Sequence, residues 1–179
     1  VSLFREEKIK YYPLGEEMTR DLIEDLKQAK KFIFMEYFII DEGKLWDEIL
    51  EVLRKKVGEG VEIRLVYDDI GCMTTLSPLY FKRLQKYGID AVPFSILRGG
   101  VDSKFNNRSH RKITVIDGKV GYTGGINLAD EYINEIERFG HWKDVGIRIE
   151  GESVWELSRL FLVDYGINVK TLPSAKHNY

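Results

Sequence analysis

Two apolar runs of strand length, residues 32–40 and 61–67, enclose an amphipathic stretch, and that succession leaves few architectures open to the chain. Phe32 to Ile40 is almost continuously apolar, as expected of a strand covered on both faces. Leu45 to Val57 repeats apolar residues at helical spacing, with Leu45, Ile49, Val52 and Leu53 forming one stripe and Gly58 and Gly60 ending it. Val61 to Tyr67 reads as a second buried strand, ending in Asp68 and Asp69. Strand, helix, strand in this order points to βαβ units and a sheet flanked by helices.

The same pattern continues on either side. Lys8 to Tyr12 reads as a short strand. Glu16 to Lys30 is helical, with Met18, Leu22, Ile23 and Leu26 on one face and acidic residues toward its start. Leu76 to Tyr87 reads as a helix capped by Gly88, and Ile89 to Val92 as a strand. Phe94 to Ser109 then loses periodicity and reads as a long loop delivering the chain to His110. Lys112 to Asp117 and Lys119 to Tyr122 are expected to be adjacent strands joined at Asp117-Gly118. Asp144 to Ile149 alternates as a strand should, and Val154 to Tyr165 is a closing helix. Residues 172–179 carry no pattern. The expected fold is α/β, a mixed and mostly parallel sheet flanked by helices, in one domain over residues 1–179. A mass of 20.9 kDa and 44% hydrophobic residues suit a single core of that size.

Charge narrows the partners. A formal charge of -2 and a pI near 6.0 argue against the broad basic surface that holds nucleic acid, so no nucleic acid is expected. Cys72 is the sole cysteine and is expected to be a buried, inert thiol. His141 and His177 have no metal-ligand spacing with Cys72 or with each other. No window approaches the length of a membrane span and no secretory signal opens the chain, so this piece is expected to be soluble.

The chemistry concentrates after the long loop. In a strand, residues two apart share a face, so His110 and Lys112 are expected to project together. A histidine titrates near neutral pH and acts as a nucleophile, while a lysine offers a compact charge to a phosphate oxygen. Asn127, behind Gly124 and Gly125, brings an amide donor and exposed backbone N–H groups to the same anion. Asp117 has the other parity and is expected to close the turn or support the site. Glu36 is unusual inside its apolar run and is expected to have a partner if buried. Asp68 and Asp69 read best as a solvated turn at a strand end. Arg108 is the cation most expected at an anion-binding mouth, with Lys104 and Arg111 read as solvated. Tyr37, Phe38, Tyr132 and Trp142 read as core or pocket wall.

The pattern H-x-K-x4-D-x6-G-G-x-N, from His110 through Lys112 and Asp117 to Asn127, resembles the signature of the phospholipase D superfamily. Further segments (36–38, 68–71, 105–108, 127–133 and 139–144) are similar to the amino-terminal catalytic half of bacterial cardiolipin synthases. The resemblance implies a catalytic set of His110, Lys112 and Asp117, phosphate contacts from Lys112, Asn127 and Gly125, and support from Asp144, which would sit near the nucleophilic histidine. Glu36 and Arg108 are carried as supporting residues. Gly125 stands where the superfamily more often has Ser, and cardiolipin synthases resemble this chain in having Gly there.

The activity implied by the resemblance is a phosphatidyl transfer between two phosphatidylglycerol molecules through a phosphohistidine, releasing glycerol. No cofactor or metal is demanded, because lysines supply the charge. The implied partners are anionic phospholipid and a second motif, supplied by a missing half or by another copy. The parent protein is expected at the cell membrane with this domain on the cytoplasmic side, and a first residue of Val suggests a fragment. Two alternatives stand beside this: a homodimeric phosphodiesterase or nuclease, and a fragment that binds lipid or phosphate without turnover.

Overall fold

A computed structural model of the chain describes residues 7–94 and 109–169. Its sheet holds β1 (Lys8–Tyr12), β2 (Phe32–Tyr37), β3 (Glu62–Asp68), β4 (Asp90–Phe94), β5 (Ile113–Ile116), β6 (Val120–Gly124) and β7 (Gly146–Glu150), ordered β1-β7-β6-β5-β2-β3-β4. The helices are α1 (Gly15–Gln28), α2 (Lys44–Gly58), α3 (Tyr80–Lys86) and α4 (Val154–Val169).

The sheet is mixed and flanked by helices, as the sequence pattern requires, but its parallel part is smaller than expected. Only β2–β3 and β3–β4 pair parallel, joined by helical crossovers. The other junctions, β2–β5, β5–β6, β6–β7 and β7–β1, are antiparallel. The cause is local: Asp117 takes a φ of 54° and Gly118 one of 66°, so the chain doubles back and β6 pairs with β5 without a crossover. The expected helix over Leu76 to Tyr87 is also shorter. Pro78 disfavours helical backbone at Ser77, Leu79 sits at a φ of 63°, and α3 starts only at Tyr80.

Alternation across β2 builds two cores. Ile33, Met35 and Tyr37 join Leu22, Leu26, Ile49 and Leu53 of α1 and α2. Phe34, on the opposite parity, joins Val66, Val92, Val115 and Phe161 under α4. Three helices therefore cover one face and α4 the other. The near-continuous apolar character of β2 and β3 is explained by this double burial.

Topology also fixes where a site can form. β2, β3, β4 and β6 finish, and β5 and β7 begin, at one end of the sheet. The connections there carry Phe38, Asp68, His110, Asn127 and Asp144, so residues far apart in sequence converge at one rim.

Candidate active site

His110 and Lys112 lie just before β5 and meet as strand parity predicts. The Lys112 Nζ stands 3.1 Å from His110 Nδ1 and 3.3 Å from Nε2, and donates to the His110 carbonyl at 2.9 Å. Lys112 is only 4% exposed, whereas His110 faces solvent. Phe38 lies beside both: its ring centre is 4.6 Å from that of the imidazole and 5.5 Å from the Lys112 Nζ. Phe38 is thus a wall of the site rather than core.

The electrostatics follow from these positions. Burial pushes Lys112 down to about 8, and the Asp144 carboxylate opposes that fall. Burial, and then the neighbouring Lys112 charge, lower the His110 pKa, with Asp68 pulling the other way. An ammonium donates hydrogen bonds and accepts none, so an imidazole nitrogen facing it is unprotonated. The site therefore pairs an exposed imidazole whose pKa is lowered with a desolvated lysine.

Asn127 is 2% exposed and held from two sides. Its Oδ1 accepts from Ile39 N–H at 3.0 Å, and its Nδ2 donates to the Tyr132 hydroxyl at 2.8 Å. A carboxamide nitrogen has two hydrogens, so one remains for a ligand. The backbone N–H of Gly125, expected to face the anion, is instead taken by the Val145 carbonyl at 3.0 Å. What Gly125 gives is room: a Cβ there would stand 2.0 Å from Asp144 Oδ1. Asp144 accordingly sits against Gly125, accepts from Val145 N–H at 2.8 Å and acts on Lys112, not on the imidazole as the resemblance implied.

Asp117 lies at the other end of β5, seven positions from His110 and roughly 20 Å away at about 3.3 Å per residue. Its carboxylate accepts from the N–H groups of Lys30, Lys31 and Phe32 at 2.8, 2.7 and 3.0 Å. It closes the turn and anchors the start of β2, so the structural role expected from its parity is the one it fills, and it does not join the rim with His110.

Several placements depart from the sequence reading. Asp68 is buried at 2% exposure, not a solvated turn, because its Oδ1 accepts from Ile70 and Gly71 N–H at 3.0 and 2.8 Å. Arg111 is not simply solvated either, since it pairs with Asp164 of α4. Glu36 is 1% exposed and accepts from the Ser109 hydroxyl. Ser109 and Asp164 went unnoticed in the sequence; the available signal for Asp164 was a lone acid within the apolar run from Leu160 to Tyr165. Cys72 is buried, with burial pushing its thiol up to about 12, as an inert thiol should be. Lys104, Arg108 and His177 lie outside the described residues. Among the described residues no group of three His, Cys, Asp or Glu side chains is placed to hold a metal ion, and no helix is long and apolar enough to cross a membrane.

Comparison with known proteins agrees with this geometry. The family model described as "Cardiolipin synthase, PLD-like domain" matches residues 22–149. A Streptococcus mutans protein is 51% identical over 160 residues, covering 89% of this chain and 35% of that protein. A cardiolipin synthase of Oceanobacillus iheyensis is 40% identical over 144 residues, covering 80% of this chain and 30% of that enzyme. The chain thus spans about a third of the length of the curated relatives it matches. Among solved structures, the phospholipase D family member Nuc from Salmonella typhimurium superposes with a TM-score of 0.66 at 17% identity, covering 92% of this chain and 95% of that one.

Proposed function

Because the chain belongs to the phospholipase D-like domain family of cardiolipin synthases, we propose that it supplies one catalytic half-site of a phosphatidyltransferase. The observation that carries this reading is the exposed His110 imidazole set 3.1 Å from the Nζ of buried Lys112. A phosphodiester oxygen that takes over the hydrogens of Lys112 releases the imidazole lone pair toward phosphorus. Lys112 and the remaining hydrogen of Asn127 Nδ2 then hold the nonbridging oxygens as charge builds on them.

The N–P bond to His110 forms as the P–O bond to the leaving glycerol breaks. An acid from a second motif protonates the departing alkoxide, and the same group later accepts the proton of the incoming hydroxyl, whose oxygen displaces His110. Phosphatidylglycerol serves as donor and acceptor, and the second motif comes from the remainder of a longer parent or from another copy. The parent works at the cell membrane, where both lipids reside.

Quenching the reaction in base and mapping the label should place a phosphatidyl-derived phosphohistidine on His110, and His110→Ala should abolish it with the melting temperature unchanged. Normal turnover by His110→Ala would end this reading. A second reading starts from the superposition with Nuc, a phospholipase D family member, over 92% of this chain and 95% of that one. Two copies about a two-fold axis would set His110 against its own image, giving a phosphodiesterase. Light scattering at assay concentration, run beside lipid transfer and DNA cleavage, separates the two. A monomer without a second motif should show about a hundredfold less transfer, since it lacks the proton donor.

A further inference from the structure

Ser109 and Arg111 flank His110, and strand parity sends both to the side of the sheet away from His110 and Lys112. There they meet two carboxylates from different elements. Ser109 donates to Glu36 Oε1 of β2 and lies 3.5 Å from Asp164 Oδ2 of α4; Arg111 donates to the same Asp164 oxygen. Glu36, Ser109 and Asp164 are all buried, at 1%, 8% and 9% exposure. This cluster lies on the α4 side of the sheet, behind His110 and Lys112.

We infer that Glu36 and Asp164 are positioning residues for His110, which they hold through Ser109 and Arg111. The inference rests on the reading of His110 as nucleophile for its consequence in rate, though not for its geometry. His110 itself is exposed, and among the described residues its side-chain contacts are Lys112 and Phe38. Its backbone direction is therefore set by its two neighbours. Ser109 is bonded to the central strand β2, and Arg111 to the helix that closes that face, so turning either breaks a polar contact, buried at Ser109 and part-buried at Arg111.

Two acids this close cannot both ionise cheaply. Burial pushes Glu36 up to about 8; the Ser109 hydroxyl lowers it, the Asp164 carboxylate raises it again, and Arg111 offsets part of the charge. Burial thus favours the protonated form of Glu36, and a glutamine, which also donates and accepts, can take the same bond from Ser109. Misplacing a nucleophile by about 1 Å can cost up to a hundredfold in rate.

The test compares Glu36→Ala, Glu36→Gln and the milder Ser109→Ala in this chain, with orthovanadate as the binding probe. The expected result is a ten- to hundredfold slower formation of phosphohistidine in Glu36→Ala and Ser109→Ala, vanadate affinity within twofold of wild type, and near-complete rescue in Glu36→Gln. In the same variants the nuclear Overhauser contact between the His110 and Phe38 rings should weaken in the alanines and persist in the glutamine. If Glu36→Ala does not fold, Ser109→Ala carries the comparison. Unchanged rate and ring contact in Ser109→Ala would overturn the inference, as would parallel losses of rate and vanadate affinity. Should wild type form no phosphohistidine even when a second motif is supplied in trans, the nucleophile reading fails by itself, and the ring contact still decides whether the clamp exists.

Discussion

Lys112 and Asp117 bracket the same strand, β5, and both lose water, yet their surroundings answer that loss in opposite ways. At Asp117 burial pushes the carboxyl up, but the N–H groups of Lys31, Phe32 and Lys30 outweigh it and hold the group below the usual carboxylate range. At Lys112 the fold returns a backbone carbonyl, a ring and a more distant carboxylate, and the ammonium is left well below the usual lysine range. A buried charge whose partners all come from the fold serves folding. A buried charge left short of partners is completed by a charge the ligand brings.

The largest break in stability comes from Asp117→Ala, which removes the acceptor of three backbone donors at once. The Lys30 and Lys31 N–H groups are exposed and can turn to water, so stability should fall by about 1–2 kcal/mol, about 5 °C in melting temperature, with vanadate affinity within twofold. Asp117→Asn should recover part of it, because asparagine keeps an acceptor and tolerates the φ of 54°. The sign of the pH effect comes from the lowered pKa. The contribution of Asp117 is present above the ordinary carboxylate value and lost as pH falls through its folded value, so the wild-type advantage over Asp117→Ala should shrink in acid. Loss of vanadate binding at unchanged stability would reverse the roles given to the two ends.

Lys112→Met should behave in the opposite sense. Vanadate affinity should drop about a hundredfold, or about 2.7 kcal/mol, while the melting temperature holds or rises, since an incompletely partnered buried cation is removed. Titration calorimetry beside thermal melting reads both. A large loss of stability would mean that Lys112 is structural.

A smaller effect sharpens the electrostatic account of His110. Lys112→Met removes one of the two causes that lower the His110 pKa, so the imidazole should titrate at higher pH, and the acid limb of phosphohistidine formation should move up with it. Asp68→Asn should shift both downward, because Asp68 is the group that raises His110. Ring C–H resonances tracked against pH measure this directly. Movement of the two variants in the same direction would contradict the placement of Asp68.

How much of this was legible in the sequence depended on whether the deciding contact was local. β2, α2 and β3 emerged from periodicity, and the meeting of His110 with Lys112 emerged from strand parity. The antiparallel weight of the sheet did not, although Asp117-Gly118 already marked the reversal, because periodicity says nothing about which edge a strand joins. Asp68 looked solvated because its partners are backbone N–H groups, which no residue type announces. Glu36 and Asp164 are each an acid alone in an apolar segment. Read together they announce a buried polar cluster, but their sharing of Ser109 is visible only once α4 lies on β2.

The finest test concerns Gly125, where the issue is space alone. Its φ lies outside the left-handed region, so a side chain brings no backbone strain, but a Cβ would overlap the Asp144 carboxylate. The obstructing atoms are the end of a short side chain and not backbone, so Gly125→Ser should fold, with Asp144 displaced and stability reduced by about 1 kcal/mol or less. Displacing Asp144 removes the charge that props up Lys112, so the ammonium should lose its proton at lower pH than in wild type. Affinity for vanadate at neutral pH should change by about threefold or less, because a serine hydroxyl adds a donor as the cation weakens. If the conflict is with Asp144, adding Gly125→Ser to Asp144→Ala should cost nothing further, and the two changes should be non-additive by about the full effect of the serine. Strict additivity would mean that the glycine is needed for something other than room for that carboxylate.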